Sequence, residues 1–158
     1  MNNFENPNHS FPTSKGNYLL VFQMAQPTCL EIGSLGRQAF PVGLFAYAGS
    51  ALGPGGLQAR IRHHLKPSVK PHWHIDYLKP YVIWQAIGWK ITNQRLECEW
   101  SQHLLEAGAT APVPRFGASD CHNRCQAHLL HLNDPLQYIL TMLEIRDDAV
   151  IMYNKSNF

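Results

Sequence analysis

Between Glu31 and Asp76 the chain carries no Asp or Glu, yet it holds Arg37, Arg60, Arg62, Lys66 and Lys70, together with His63, His64, His72 and His74. An acid-free basic stretch of this kind suits an anionic ligand such as a phosphate backbone. The net charge is only +2 with histidines neutral, so the distribution carries the argument rather than the total. Inside the stretch, "GPGG" (53–56) runs straight into "LQARIRHHL" (57–65). Glycines ahead of a helix leave backbone amides open to an anion. However, the Gly-Lys-Ser/Thr ending of a nucleotide loop is missing, and so is a three-glycine dinucleotide pattern with its later acid. A tight turn is the simpler reading.

Two further clusters have chemical potential. "HWHIDYL" (72–78) puts His72, His74 and Asp76 on one face if it is extended, or His72 and Asp76 if it is helical. Such a face can position water, bind a metal or contact a phosphate; the alternative is a Trp and Tyr packing segment with exposed histidines. "SDCHNRCQAHLLH" (119–131) contains Cys121, Cys125, His128 and His131, with Asp120 and His122 nearby. Zinc at Cys121, Cys125 and His128 is one reading. Buried thiols are a second, and a role beside an active site for Asp120 and His128 is a third. The spacing matches no standard finger.

The elements that must hold these residues are legible in outline. "NYLLVFQMA" (17–25) is a nearly continuous apolar run and reads as a central strand. "CLEIGSLGRQAFP" (29–41) reads as a hairpin around "GSLG", and "GLFAYAGSA" (43–51) as a further strand. In 56–66, Leu57, Ile61 and Leu65 form one apolar helical stripe, flanked by Arg60 and His64. "YVIWQAIGWKI" (81–91) is a strand. "NQRLECEWSQHLLEAG" (93–108) is a helix with Asn93 as its cap and Leu96, Trp100, Leu104 and Leu105 inward. Residues 121–132 fit no one element, and "DPLQYILTMLEI" (134–145) is a helix begun by Asp134 and Pro135. The fold class is therefore α/β (α+β): a small, mainly antiparallel or mixed sheet flanked by helices.

The 158 residues, 45% hydrophobic and 15% charged, suggest one domain able to bury a core. We expect a flexible tail over 1–15, the domain over 16–145 and an unassigned segment over 146–158. No apolar run approaches a membrane span. The first residues lack the positive and apolar regions of a signal peptide. Four cysteines without such a signal suggest reduced thiols and a cytoplasmic protein.

Taken in order, the motifs say more than any one of them. "GNY" (16–18), "YAG" (47–49), "LQARI" (57–61) with a histidine four residues after the arginine, and "RLECEW" (95–100) together resemble the GIY-YIG nuclease superfamily. More closely, "GLFAYAGSALGPGGLQARIRHHL", "HWHIDYL", "LECEW" and "FGASDC…C..HL" resemble its DUF123 branch, the "Uri superfamily endonuclease" group, some of whose members are fused to endonuclease III. The resemblance runs from about Gly16 to His131. It implies a metal-dependent endonuclease cleaving phosphodiester bonds in DNA, in a repair setting. Tyr18 and Tyr47 would be the two motif tyrosines and Gly49 the glycine that follows. Arg60 would be the catalytic arginine, His64 its companion, and Glu97 the ligand of Mg or Mn, with Glu99 as a rival. Arg62, Lys66 and Lys70 would track the backbone, while His72, His74 and Asp76 would contact substrate. The chain departs from the superfamily pattern in three places. An insert lies at roughly 27–41, alanine replaces isoleucine in "YAG", and no asparagine is matched after "APVPRF". The alternatives are a non-catalytic nucleic-acid-binding module on the same scaffold and a zinc-stabilised interaction domain.

Overall fold

The run Gly16–Met24 forms the central strand β1, with every residue but Gln23 buried. A strand apolar on both faces needs cover on both sides. The computed structural model, which describes residues 10–133 and 150–154, supplies that cover with one helix on each face. β1 pairs antiparallel with β4 (Gly43–Ala51) on one side and β5 (Val82–Ile91) on the other. β6 (Leu129–Leu132) extends the sheet beyond β4, and β7 (Val150–Tyr153) extends it beyond β5. Among the described residues this is a five-stranded antiparallel sheet in the order β6-β4-β1-β5-β7. The expected helix at 134–145, and residues 1–9 of the expected tail, lie outside the described residues.

The insert between β1 and β4 is the expected hairpin. β2 (Thr28–Glu31) pairs with β3 (Arg37–Phe40) as a separate two-stranded sheet, joined by a short 3-10 turn at Gly33–Leu35. It leaves the β1–β4 pairing undisturbed, and that register runs from Gly16↔Ala51 to Met24↔Gly43.

Helix α1 (Gly56–Leu65) lays Leu57, Ile61 and Leu65 on the face that also carries Tyr18, Leu20, Phe22 and Tyr47. Helix α2 (Glu97–Glu106) lays Trp100 and Leu104 on the other face, against Leu19, Val21, Ala46 and Ala48. The start of α1 explains its glycines. Leu57 N–H donates to the Ser14 carbonyl at 3.0 Å and Gln58 N–H to that of Pro12 at 2.8 Å. At Gly56 (φ +56°) a Cβ would strike the carbonyl oxygens of Thr13 and Ser14. The amides that an anion would need are therefore bonded to the chain itself. Residues 10–15 are correspondingly seated rather than loose: Phe11 is buried edge-on to Trp89, with ring centroids 5.6 Å apart. That corrects the expectation of a tail for this part of 1–15.

Helix α2 begins at Glu97, four residues after the expected cap at Asn93. Asn17, fully buried on β1, decides this. Its Nδ2 donates to the Gln94 carbonyl at 2.7 Å, and its Oδ1 accepts from Leu96 N–H at 2.9 Å. The turn before α2 is thus fixed by a residue almost eighty positions earlier. Asn17→Ala leaves the buried Leu96 amide unpaired and should cost about 1–3 kcal/mol. The check is a lowered urea midpoint with an unchanged m-value.

Candidate active site

In an antiparallel pair, facing residues share a side of the sheet. Tyr18 faces Gly49, and Leu20 faces Tyr47, so both tyrosines project onto the α1 side. Gly49 is glycine for a visible reason: a Cβ there would collide with the Tyr18 ring and hydroxyl. β6 pairs only with Leu44–Tyr47 of β4, and Ala48 N–H donates to the His128 carbonyl at 2.9 Å. Past that point a cleft of about 690 Å³ opens along β4. Tyr18, Tyr47 and Arg60 line it from the α1 side, Gly49 and Ser50 from the strand, and Glu97 and Cys98 from the start of α2. The loop before β6 adds Asp120, Cys121, His122, Asn123 and His128.

Tyr18 Oη lies 2.8 Å from His64 Nε2. Burial pushes both tyrosine hydroxyls well above their ordinary pKa; the neighbouring Tyr47 adds to this for Tyr18, while the Arg60 charge opposes it for both. They therefore act as hydrogen-bonding phenols at neutral pH. His64 is buried, and burial together with the charges of Lys79 and His63 lowers its pKa to about 3. It is neutral in any ordinary buffer. Arg60 is presented by stacking, with its guanidinium carbon 4.3 Å from the centroid of Trp73.

Trp73 is the residue of "HWHIDYL" that reaches the cleft. The segment contains a 3-10 turn, His74–Tyr77, rather than a strand. Asp76 accepts from the backbone N–H groups of His72 and Trp73 at 2.9 and 3.0 Å, and from Lys79 Nζ at 2.8 Å. Its side chain is fully buried. Burial alone would raise its pKa, but Lys79 and the two amides outweigh burial and hold the carboxyl well below the usual carboxylate range. His74 accepts from Gly117 N–H at 2.8 Å and packs against Phe116. His72 is exposed and its ring lies against Trp73. The structure thus puts His72, His74 and Asp76 outside the cleft lining, where His74 and Asp76 anchor the frame around Trp73. Arg62, Lys66 and Lys70 are exposed and also lie outside the lining.

Two groups make folding sensitive to acid. His64 has a folded pKa below the unfolded value of about 6.5, so the unfolded chain takes up its proton first. Stability should fall as pH drops from about 6.5 toward 3. Asp76 has a depressed folded pKa, so its contribution is complete above about 4 and is lost below that. Urea titrations at pH 7.5 and 5.0 should show a drop in midpoint that His64→Gln diminishes.

Glu97 lines the cleft; Glu99 is exposed and does not. One Glu97 oxygen lies 3.5 Å from Arg95 Nη1, while Oε2 is buried without a partner. Arg95, itself mostly exposed, also donates to Ser50 at 2.9 Å. Cys98 and Cys125 form a disulfide, with Cα atoms 5.9 Å apart, where four reduced thiols were expected. The start of α2 and the loop before β6 meet there, a juxtaposition that a separation of 27 residues does not announce. Cys121, a free thiol, has its sulfur 3.1 Å from that of Cys98, and His128 Nε2 is 3.4 Å from it. Trp73, Arg95, Cys98 and the positioning residue Asn17 were not singled out from the sequence. Each sits within two residues of a residue that was, and that adjacency was the available signal.

Residues 17–149 match the family described as "Domain of unknown function DUF123". The chain belongs to the DUF123 family. No curated protein and no solved structure matches it. The match takes in β1 from its second residue, everything from there through β6, and every cleft residue named above. Among the described residues of this DUF123 chain, no helix is long and apolar enough to cross a membrane.

Proposed function

We infer that this DUF123 protein is a metal-dependent nuclease of the GIY-YIG type, hydrolysing phosphodiester bonds in DNA in the cytoplasm. One observation carries the reading. Tyr18, Tyr47, Arg60 and Glu97, drawn from two strands and two helices on opposite faces of the sheet, line one cleft. Structural roles alone do not require four such groups to converge.

Arg60 offers a planar fork to the non-bridging phosphoryl oxygens, and stacking on Trp73 limits its rotamers before substrate arrives. Tyr18 Oη, held 2.8 Å from His64 Nε2, offers its hydroxyl to the attacking water. Because His64 is so weakly basic, its part is to hold that hydroxyl rather than to keep a proton. Tyr47 is a second hydroxyl on the same wall. The residues fit a divalent metal ion: the unpartnered Oε2 of Glu97 is a hard oxygen donor, suited to Mg or Mn with water in the other positions. Such an ion, when bound, polarises the phosphoryl group and stabilises the leaving oxygen. Exposed Arg62, Lys66 and Lys70 extend the positive surface for flanking phosphates.

The test is incubation of the purified chain with plasmid and with branched DNA, with Mg or Mn and with chelator. Cleavage that needs the metal supports the reading. Binding without cleavage under any divalent metal would replace it with the non-catalytic module.

A further inference from the structure

We propose that Cys98, Cys121, Cys125 and His128 together hold one zinc ion, which pins the loop before β6 to the start of α2. One donor atom from each of the four lies within 4.8 Å of the others. Two of the separations are 3.1 and 3.4 Å. Zinc at about 2.3 Å from sulfur and 2.0–2.1 Å from nitrogen places tetrahedral donors roughly 3.5–3.8 Å apart, so these two contacts are near the required size, while the bonded Cys98 and Cys125 sulfurs must part to reach it. Three thiolates and one imidazole are a donor set of structural zinc sites.

The disulfide employs two of these donors and leaves the Cys121 thiol and the imidazole packed against the Cys98 sulfur. A zinc ion employs all four. The loop needs such a fastening. Residues 117–128 form turns only, and of them Ala118, Ala127 and His128 alone are buried. Yet this loop supplies the Asp120, Cys121, His122 and Asn123 wall of the cleft. Cys98 lies next to Glu97, so the ion would fix both the loop and the helix start that carries the carboxylate.

The two states interconvert by a balanced step. A dithiol reductant gives two electrons and two protons to the Cys98–Cys125 bond and becomes a disulfide itself. The three thiols then release their protons to solvent as zinc binds, and neutral His128 contributes a lone pair. The Cys121 sulfur, 3.1 Å from that of Cys98, is close enough for its thiolate to take part in exchange with the disulfide.

The proposal does not depend on catalysis in the cleft. The full chain is purified anaerobically after treatment with a dithiol, and its zinc is measured by atomic emission. It is then titrated with cobalt. We expect one equivalent of metal, with intense near-ultraviolet thiolate-to-cobalt bands and strong visible bands of a tetrahedral site. Cys98→Ser and Cys121→Ser should each lose the ion. Cys29→Ser, at an exposed cysteine on β2, should keep it. Glu97→Ala should keep it too, which separates this proposal from the nuclease reading. Reduced wild type without stoichiometric metal, a weak octahedral cobalt spectrum, or a Cys121→Ser protein that binds like wild type would each overturn it. The wild-type cobalt spectrum decides even if a ligand variant does not fold.

Discussion

Glu97→Ala is expected to reduce metal-dependent DNA cleavage by about a thousandfold or more while DNA affinity stays within a few-fold of wild type. The carboxylate is the cleft's candidate ligand for the divalent ion, with Oε2 buried and unpartnered. Its removal forfeits several kcal/mol of charge stabilisation that exists only as the phosphoryl group reacts. It also relieves the burial of an unpaired oxygen, so the fold should not suffer. Arg60→Ala should lower the rate by about 10²–10³-fold, the usual loss when one donor to developing charge is removed. Arg60→Lys should recover little, because a point charge replaces a fork that stacks on Trp73. The measurements are single-turnover cleavage with Mg or Mn and a separate binding titration with chelator. Equal cleavage by Glu97→Ala and wild type would remove Glu97 from the reaction.

The second large effect is at Gly49. Its added methyl in Gly49→Ala meets the ring and hydroxyl of Tyr18, which is buried and bonded to His64. The ring cannot swing into solvent, so overpacking should cost about 1–3 kcal/mol. That corresponds to roughly 2–4 °C in Tm per kcal/mol for a chain of this size. Cleavage should fall further than stability does, since the displaced hydroxyl no longer meets His64. A double-mutant cycle with Tyr18→Ala tests the cause. Most of the Gly49→Ala penalty should vanish when the ring is absent. An unchanged penalty would mean that the collision is not its source.

Much of this architecture was legible because its residues answer to local rules. The run from Asn17 to Met24 has no polar alternation, so it had to be a strand covered on both faces, and it is. Leu57, Ile61 and Leu65 repeat every four residues, and α1 buries that stripe. "GSLG" between two short strands marked the inserted hairpin. The start of α2 was misplaced because Asn93 has the chemistry of a cap, while the decisive amide comes from Asn17. "HWHIDYL" is open to a short helix or a strand by its sequence, and the helical reading is the one realised: Asp76 collects two amides and Lys79 and winds the segment into a 3-10 turn.

For the cleft, the sequence by itself determined the candidate residues: two tyrosines on strands, an arginine beside an apolar stripe, and an acid on a later helix. Order and type are written in the chain. Only the tertiary structure decided which of two nearby acids faces inward, because Glu97 and Glu99 differ by about 200° around a helix of 3.6 residues per turn. It also decided that Trp73, rather than its histidine neighbours, meets Arg60, and that Cys98 joins Cys121, Cys125 and His128. Those choices depend on how sheet, helices and loop pack. Packing is set by burial summed over the whole chain, which no short motif contains.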